Sequence, residues 1–203
     1  MIDEPPSAVS QYDSAPDVFG ARYSSARFED IHHNLLRYLP ESGAAVLDVG
    51  AGIGRDAATL ASLGYLVTAI EPSLELYRWG RDHYNLNDIT WIADSLPWIA
   101  SLNAINQGFE FILCSAVLIH VAPDQIDDSF NTFARLLTAG GRLGISIRNA
   151  IANDVPGVFF DHDDAMLISA AQRAKLQLVE LAQSADALAR PEVYWRTFVF
   201  QKT

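Results

Sequence analysis

Residues 46–55 read Val46-Leu47-Asp48-Val49-Gly50-Ala51-Gly52-Ile53-Gly54-Arg55, an apolar run that turns into three glycines at alternate positions. Glycines let backbone approach a ligand closely and take positive φ, and a helix that follows offers unpaired N–H groups. Roughly twenty residues further on, Glu71 closes a second apolar run, where a carboxylate can accept both hydroxyls of a ribose. Asp94 closes a third run, in Trp91-Ile92-Ala93-Asp94-Ser95. Taken singly, each acid has an ordinary use: Asp48 on turn amides, Glu71 capping the next helix, Asp94 as an N-cap. Taken in order, at three successive strand ends, they are expected to converge on one crevice, because ligands of open α/β sheets sit at the carboxyl ends of strands.

The spacing bears on which nucleotide the loop suits. A dinucleotide fingerprint is G-x-G-x-x-G, with the third glycine needed for close helix–strand packing. Here the spacing is G-x-G-x-G, and Arg55 holds the place of that glycine. Asp48, ahead of the first glycine, repels a diphosphate yet suits a ligand with a positive charge. The loop favours a nucleoside without phosphates over NAD(P).

The elements that must position these residues follow from the pattern of apolar runs. The first two dozen residues, with Pro5, Pro6, Ser7, Ser10, Ser14 and Pro16, read as an irregular arm. Phe28, Ile31, Leu35, Leu36 and Leu39 recur at helical spacing up to Pro40 and Gly43. Strands are expected at 44–49, 65–70, 89–93 and 109–115, the last buried on both faces. Helices are expected at 56–63 and at 74–84, the latter opened by Pro72-Ser73. A helix with Ile126, Phe130, Phe133 and Leu137 on one stripe leads to Gly140-Gly141 and a strand at 142–147. Residues 165–174 are helical, and strands at 177–182 and 194–201 follow with only about ten residues between them. So short a link makes those two strands antiparallel neighbours, since a parallel crossover needs a helix-sized connection. The fold expected is α/β: a doubly wound, Rossmann-like, seven-stranded sheet, mostly parallel, with an antiparallel C-terminal strand.

Composition agrees. The 203 residues suit one domain, and 50% hydrophobic against 19% charged residues excludes disorder. Fourteen Lys+Arg against 25 Asp+Glu give a net charge of −11, which repels phosphate backbones and anionic lipid. Nucleic acid and membrane are therefore not expected partners. A lone cysteine, Cys114, and an acidic N-terminus without an apolar core point to a cytoplasmic protein.

The chain resembles class I S-adenosylmethionine-dependent methyltransferases, most clearly over 44–148. Asp48, Gly50, Gly52 and Gly54 match the family's D-x-G-x-G-x-G motif, and Glu71 its acid at the end of the second strand. Asp94 and Ser95 stand where the family holds the adenine, and Ser115-Ala116-Val117-Leu118-Ile119-His120-Val121 resembles its post-strand-four segment. The Gly54-Arg55-Asp56 turn and the Ala21-Arg22-Tyr23 arm look like bacterial small-molecule members, the tellurite-resistance-like and quinone-methylating relatives among them. The resemblance implies S-adenosylmethionine as cofactor, held by Arg22, Asp48, Gly50, Ala51, Gly52, Gly54, Glu71, Pro72, Asp94, Ser95, Leu96 and Ser115, and S-adenosylhomocysteine as product. It implies a single domain: an arm and helix over 1–40, a cofactor-binding core over 44–148 and a substrate-side region over 149–203. The acceptor is expected to be the O, N or S atom of a small molecule, the protein a monomer or homodimer. A non-catalytic sensor or scaffold that binds the same donor is the alternative.

A methyl sulfonium is already activated, so alignment and exclusion of water matter most, and a base is needed only if the acceptor arrives protonated. His120 is the candidate base, with packing under the cofactor as its ordinary use. Arg148, with Asn149, is the candidate for orienting an acidic or carbonyl-bearing acceptor, although relatives often continue from this strand with R-H-G where this chain has Arg148-Asn149-Ala150. Arg22 and Tyr23 are candidates for closing over the cofactor's carboxylate, and Arg190, Tyr194 and Trp195 for lining the acceptor side. Asp161-His162-Asp163-Asp164 reads as a helix N-cap and not as a metal site. His32 and His33 fall on different sides of a helix, and Cys114 lies in a buried strand. No Asn/Asp-Pro-Pro-Tyr/Phe segment follows the fourth strand, which argues against DNA-amine and protein-glutamine methylation.

Overall fold

The structure, a computed structural model, describes residues 7–104 and 108–203. In chain order its elements are α1 (Ala8–Asp13), α2 (Pro16–Ser24), α3 (Phe28–Ile31), β1 (Ala45–Val49), α4 (Arg55–Ser62), β2 (Leu66–Ile70), α5 (Leu74–His83) and β3 (Thr90–Ile92). They continue with β4 (Phe109–Ser115), α6 (Ile126–Leu136), β5 (Leu137–Arg148), α7 (Asp164–Arg173), β6 (Leu176–Ala185) and β7 (Tyr194–Lys202). The strands form one sheet in the order β3-β2-β1-β4-β5-β7-β6. The pairs from β3 to β5 are parallel, whereas β7 is antiparallel to both β5 and β6. Doubly wound sheets bind ligands where strand order reverses, and here that point lies between β1 and β4.

Strand β4 is buried on both faces, as its near-continuous apolar run predicts. Phe109, Ile112 and Cys114 join a core with Phe130 and Phe133 of α6 and Leu167 of α7. Phe111 and Leu113 join a second core with Ala57 and Leu60 of α4 and Phe28 of α3. Burying each such side chain contributes roughly 1.5–3 kcal/mol, so β4 is the strip of sheet to which both helical layers are fastened. Among the described residues no helix is long and apolar enough to cross a membrane, and no cluster of acids, histidines and cysteines has a metal-holding arrangement.

Three expectations need correction. The arm described from Ser7 onward is not irregular: Ser7 and Ser10 form a reciprocal capping box on α1, and Pro16 occupies the first turn of α2. The same serines and prolines that read as loop composition are helix-start signals. The helix expected from Phe28 to Leu39 breaks at His32, whose φ of −106° and ψ of 19° leave the helical region. Beyond it the N–H groups of Leu35 and Tyr38 bond three residues back and form a 3-10 turn, Leu36–Tyr38. The apolar spacing still buries Phe28 and Leu35, while the break lets the His32 ring reach Asp56. Finally, Gly140 and Gly141 lie inside β5, which begins at Leu137 opposite Phe109, and not ahead of it.

Candidate functional site

Two cavities open at the carboxyl ends of β1 and β4. The smaller, about 300 Å³, has apolar walls from Val49, Ile70, Leu76, Leu96 and Val117, with Gly52, Glu71, Pro72, Asp94, Ser95 and His120 also on its lining. The larger, about 630 Å³, takes in Arg22, Asp48, Ala51, Arg148, Phe159 and Trp195. Gly50, Ser115 and Ala116 of the sheet side and Tyr12 and Tyr23 of the arm line both cavities, so the two meet there.

The glycine loop creates the floor of this junction. Gly50 adopts φ +70°, and a Cβ on it would lie 2.3 Å from Val117 Cγ2, so only glycine lets the loop pass beneath the post-β4 turn. Gly52, at φ +57°, differs: a Cβ there meets no protein atom within 4 Å and would fill empty cavity. Its N–H donates to Glu71 Oε2 at 2.8 Å, and the Ser73 N–H donates to Oε1 at 2.7 Å. Burial dominates the titration of Glu71 and pushes its carboxyl up to about 7, with Ser73 and Gly52 pulling down and Asp13 pushing up. Gly54 lines neither cavity; it caps α4 at φ +77° and packs on Leu86 and Trp91.

Asp48, only 2% exposed, presents its Oδ2 without a hydrogen-bond partner among the described residues. Burial, followed by the charge of Asp56, raises its pKa well above the usual carboxylate range, and Arg55 opposes them. A buried oxygen of this kind calls for a donor or a cation that the protein itself does not supply. Arg55 is spoken for: Nε and Nη2 grip Asp56 at 2.6 and 2.9 Å, and Nη1 donates to the Tyr23 carbonyl at 2.8 Å. His32 Nε2 donates to Asp56 Oδ2 at 2.8 Å, which ties α3 as well as α2 to the start of α4. Burial pushes the Asp56 carboxyl up, but Arg55 and His32 prevail and hold it well below the usual range.

The predicted acids therefore divide. Glu71 and Asp94 face the smaller cavity and Asp48 the larger, and the two cavities join at Gly50 and Ser115. Asp94 also performs the ordinary loop role: it accepts the N–H of Ser95 at 2.7 Å and both the N–H and hydroxyl of Ser101 at 2.8 and 2.6 Å. Burial pushes its pKa up, yet those bonds lower it overall.

On the far side of the larger cavity Arg148, 7% exposed, is paired bidentately with Asp154 and lies 4.9 Å from the centre of the Phe159 ring. Arg190 is likewise paired with Asp186, which also accepts the Trp195 Nε1–H at 2.8 Å. Burial pushes Asp186 up, but Arg190 and Trp195 bring it down to about 2. Arg22 has no carboxylate in ion-pair range among the described residues and sits 5.8 Å from the Phe19 ring. Tyr194 is exposed and off the lining, and Asn149 spends its amide on backbone groups of Ala150, Glu192 and Tyr194. Asp163 caps α7 through the Ala165 N–H, and His162 is buried against the carbonyls of Leu118 and Val121. Cys114 is fully buried, and burial pushes its thiol far up.

Sequence reasoning missed Tyr12, Phe19, Phe159, Asp154 and Asp186, all of which line the larger cavity. One signal was available for the arm: Tyr12, Phe19 and Tyr23 are spaced for one helical face, and their rings indeed cluster 4.8 to 6.4 Å apart.

Residues 46–141 match the family described as "Methyltransferase domain". The chain is 37% identical over 109 residues to a ubiquinone biosynthesis O-methyltransferase of Xanthomonas oryzae pv. oryzae, a match covering 53% of this chain and 44% of that protein. It thus spans less than half the length of that curated relative. Among solved structures it is similar to a TehB-like SAM-dependent methyltransferase from Corynebacterium glutamicum, with TM-score 0.69 and 17% identity over 96% of this chain and 99% of that one. It is also similar to the 1,6-didemethyltoxoflavin-N1-methyltransferase of Burkholderia thailandensis, with TM-score 0.62 and 18% identity over 100% and 93%. At such identities these likenesses show the fold.

Proposed function

We propose that this chain is a class I S-adenosylmethionine-dependent methyltransferase that methylates an O, N or S atom of a small molecule and releases S-adenosylhomocysteine; the sheet order and the match of residues 46–141 to a methyltransferase domain support that reading. The residues present fit the donor on two observations. Gly52 leaves open space where any side chain would intrude, and Asp48 buries an oxygen with no partner. Glu71 would hold the ribose, the apolar walls of the smaller cavity together with Asp94, Ser95 and Leu96 the adenine, and Arg22 the donor's carboxylate. Asp48 would face the positively charged end. When bound, S-adenosylmethionine supplies a methyl group already activated on a sulfonium.

The remaining work falls to the chain. Tyr12 and Tyr23 close the junction from the arm side, which excludes water and confines an acceptor to one approach. The Arg148–Asp154 and Arg190–Asp186 pairs are each neutralised within the wall, so apart from Arg22, reserved for the donor, the larger cavity offers aromatic faces and no uncompensated cation. That favours a neutral, planar acceptor, carbonyl-bearing ones included, over the acidic alternative expected for Arg148.

The observation that carries the reading is the extent of the larger cavity: about 630 Å³, it takes the donor's charged end at Asp48 and Arg22 and runs on to Arg148, Phe159 and Trp195, which is space for a second reactant. A non-catalytic sensor has no use for the part of that cavity beyond Asp48 and Arg22. The decisive experiment pairs calorimetry of S-adenosylhomocysteine with a tritiated-methyl transfer assay over fractionated metabolites. Micromolar binding together with label in a small-molecule fraction is expected. Binding without transfer to any fraction would favour the sensor, and absence of binding would overturn both.

A further inference from the structure

Tyr12, at the end of α1, holds a polar contact that the reading above does not use. Its hydroxyl lies 2.9 Å from His120 Nε2, and His120 Nδ1 lies 2.9 Å from the Val158 carbonyl oxygen. A carbonyl oxygen only accepts, so Nδ1 carries the ring proton and Nε2 is the bare lone pair. Tyr12 therefore donates its O–H to Nε2 and keeps lone pairs with which to accept a hydrogen bond in turn.

Position completes the argument. His120 lines only the smaller cavity, which leaves it outside the larger one. Tyr12 lines both and stands where they meet, opposite Gly50, Ser115 and Ala116. Resting on the methyl-transfer reading, we propose that Tyr12 is the residue that takes the acceptor's proton and that it relays it to His120. As the acceptor's O–H or N–H proton passes to Tyr12 Oη, the tyrosine's own proton passes to His120 Nε2. The phenol ends unchanged and the imidazole ends as imidazolium. The charge balances, because the donor's sulfonium charge disappears as the methyl bond to sulfur breaks and the bond to the acceptor forms. The proton returns by the same route to water once the product has left.

The surroundings suit each partner. Burial lowers the pKa of His120 and so keeps Nε2 bare at neutral pH; the Val158 carbonyl and Asp154 oppose this and Arg148 adds to it. Burial, with Tyr23 and Glu71, raises the pKa of Tyr12, keeping its proton available to donate, while Arg148 opposes. Arg148 and Asp154 face this pair already joined in an ion pair.

The test needs no identified acceptor. Sinefungin carries a CH–NH3+ group where the donor has S–CH3, so its amine stands at the methyl position and a phenol oxygen at the junction accepts a hydrogen bond from it that S-adenosylhomocysteine cannot offer. By calorimetry, Tyr12→Phe is expected to weaken sinefungin about tenfold while S-adenosylhomocysteine stays within about twofold. Equal losses for both ligands would make Tyr12 a packing residue, and no loss for either would place its hydroxyl away from the junction; each overturns the relay. Wild-type protein gives an independent reading. Nitrogen-15 NMR at pH 7 is expected to show His120 neutral with its proton on Nδ1, and a proton on Nε2 would overturn the relay even if Tyr12→Phe failed to fold. Failure of the wild type to bind either ligand would instead refute the methyltransferase reading itself.

Discussion

Lowering the pH from 8 to 6 should weaken binding of S-adenosylhomocysteine about tenfold, and Glu71 is the cause. Burial pushes its carboxyl up to about 7, against the N–H groups of Ser73 and Gly52. A ribose diol donates two hydrogen bonds, so it binds the carboxylate and rejects the protonated acid. The free protein holds a proton on Glu71 below about 7, the complex does not, and binding therefore releases a proton. With a free-state value of about 7, the ionised fraction is about 0.09 at pH 6 and about 0.9 at pH 8, a ratio near ten or ~1.4 kcal/mol. Calorimetry at pH 6, 7 and 8, in two buffers of different ionisation heat, measures both the affinity and the proton count. About half a proton per ligand should appear at pH 7. Glu71→Gln should abolish the slope and weaken binding about 10- to 100-fold at pH 8, the worth of a hydrogen bond to a charged group. Asp48 is also raised by burial, so Asp48→Asn serves as the control and should keep the slope. A flat profile in the wild type, or an unchanged slope in Glu71→Gln, would refute the assignment of Glu71 as the ribose-binding carboxylate.

Other consequences concern the scaffold around that carboxylate. Gly52→Val should abolish binding of S-adenosylhomocysteine while lowering stability by only about 1–2 kcal/mol, since the new side chain meets no protein atom and the left-handed backbone is its main penalty; a variant that binds normally would count against the cradle. Asp56→Asn should cost about 3–5 kcal/mol in urea unfolding, because it strips the carboxylate from a buried arrangement holding Arg55 and His32. The depressed pKa of Asp56 makes the same contribution fully present above about 4 and lost as pH falls below it, so the gap between wild type and Asp56→Asn should narrow on acidification. Cys114, fully buried in β4, should resist a thiol reagent in native protein and react within seconds in denaturant; rapid native labelling would contradict its place in the core.

The fold was legible because its signals are local. β4 announces itself by continuous apolar residues, α6 by Phe130 and Phe133 on one stripe, and the β6–β7 pair by a link too short to cross over. The glycine loop and the place of Glu71 after β2 were legible for the same reason: the turn that follows a strand is written within a few residues of it. The arm was not, because serine and proline serve equally as loop filler and as helix-start signals, and only the Ser7–Ser10 bonds decide between them. Nor was the helix break at His32, which follows from a partner, Asp56, that the spacing of Phe28 and Leu35 does not reveal.

Sequence alone thus determined the sheet, its reversed strand, the glycine loop after β1 and the acid that ends β2, all set by neighbours along the chain. Tertiary structure alone decided which side chains face one another. It placed Asp48 in a different cavity from Glu71, neutralised Arg148 with Asp154, and brought Tyr12 across 108 residues to His120. The physical reason is that pairing energies depend on distance in space, and residues so far apart in sequence become neighbours only when both cores have formed.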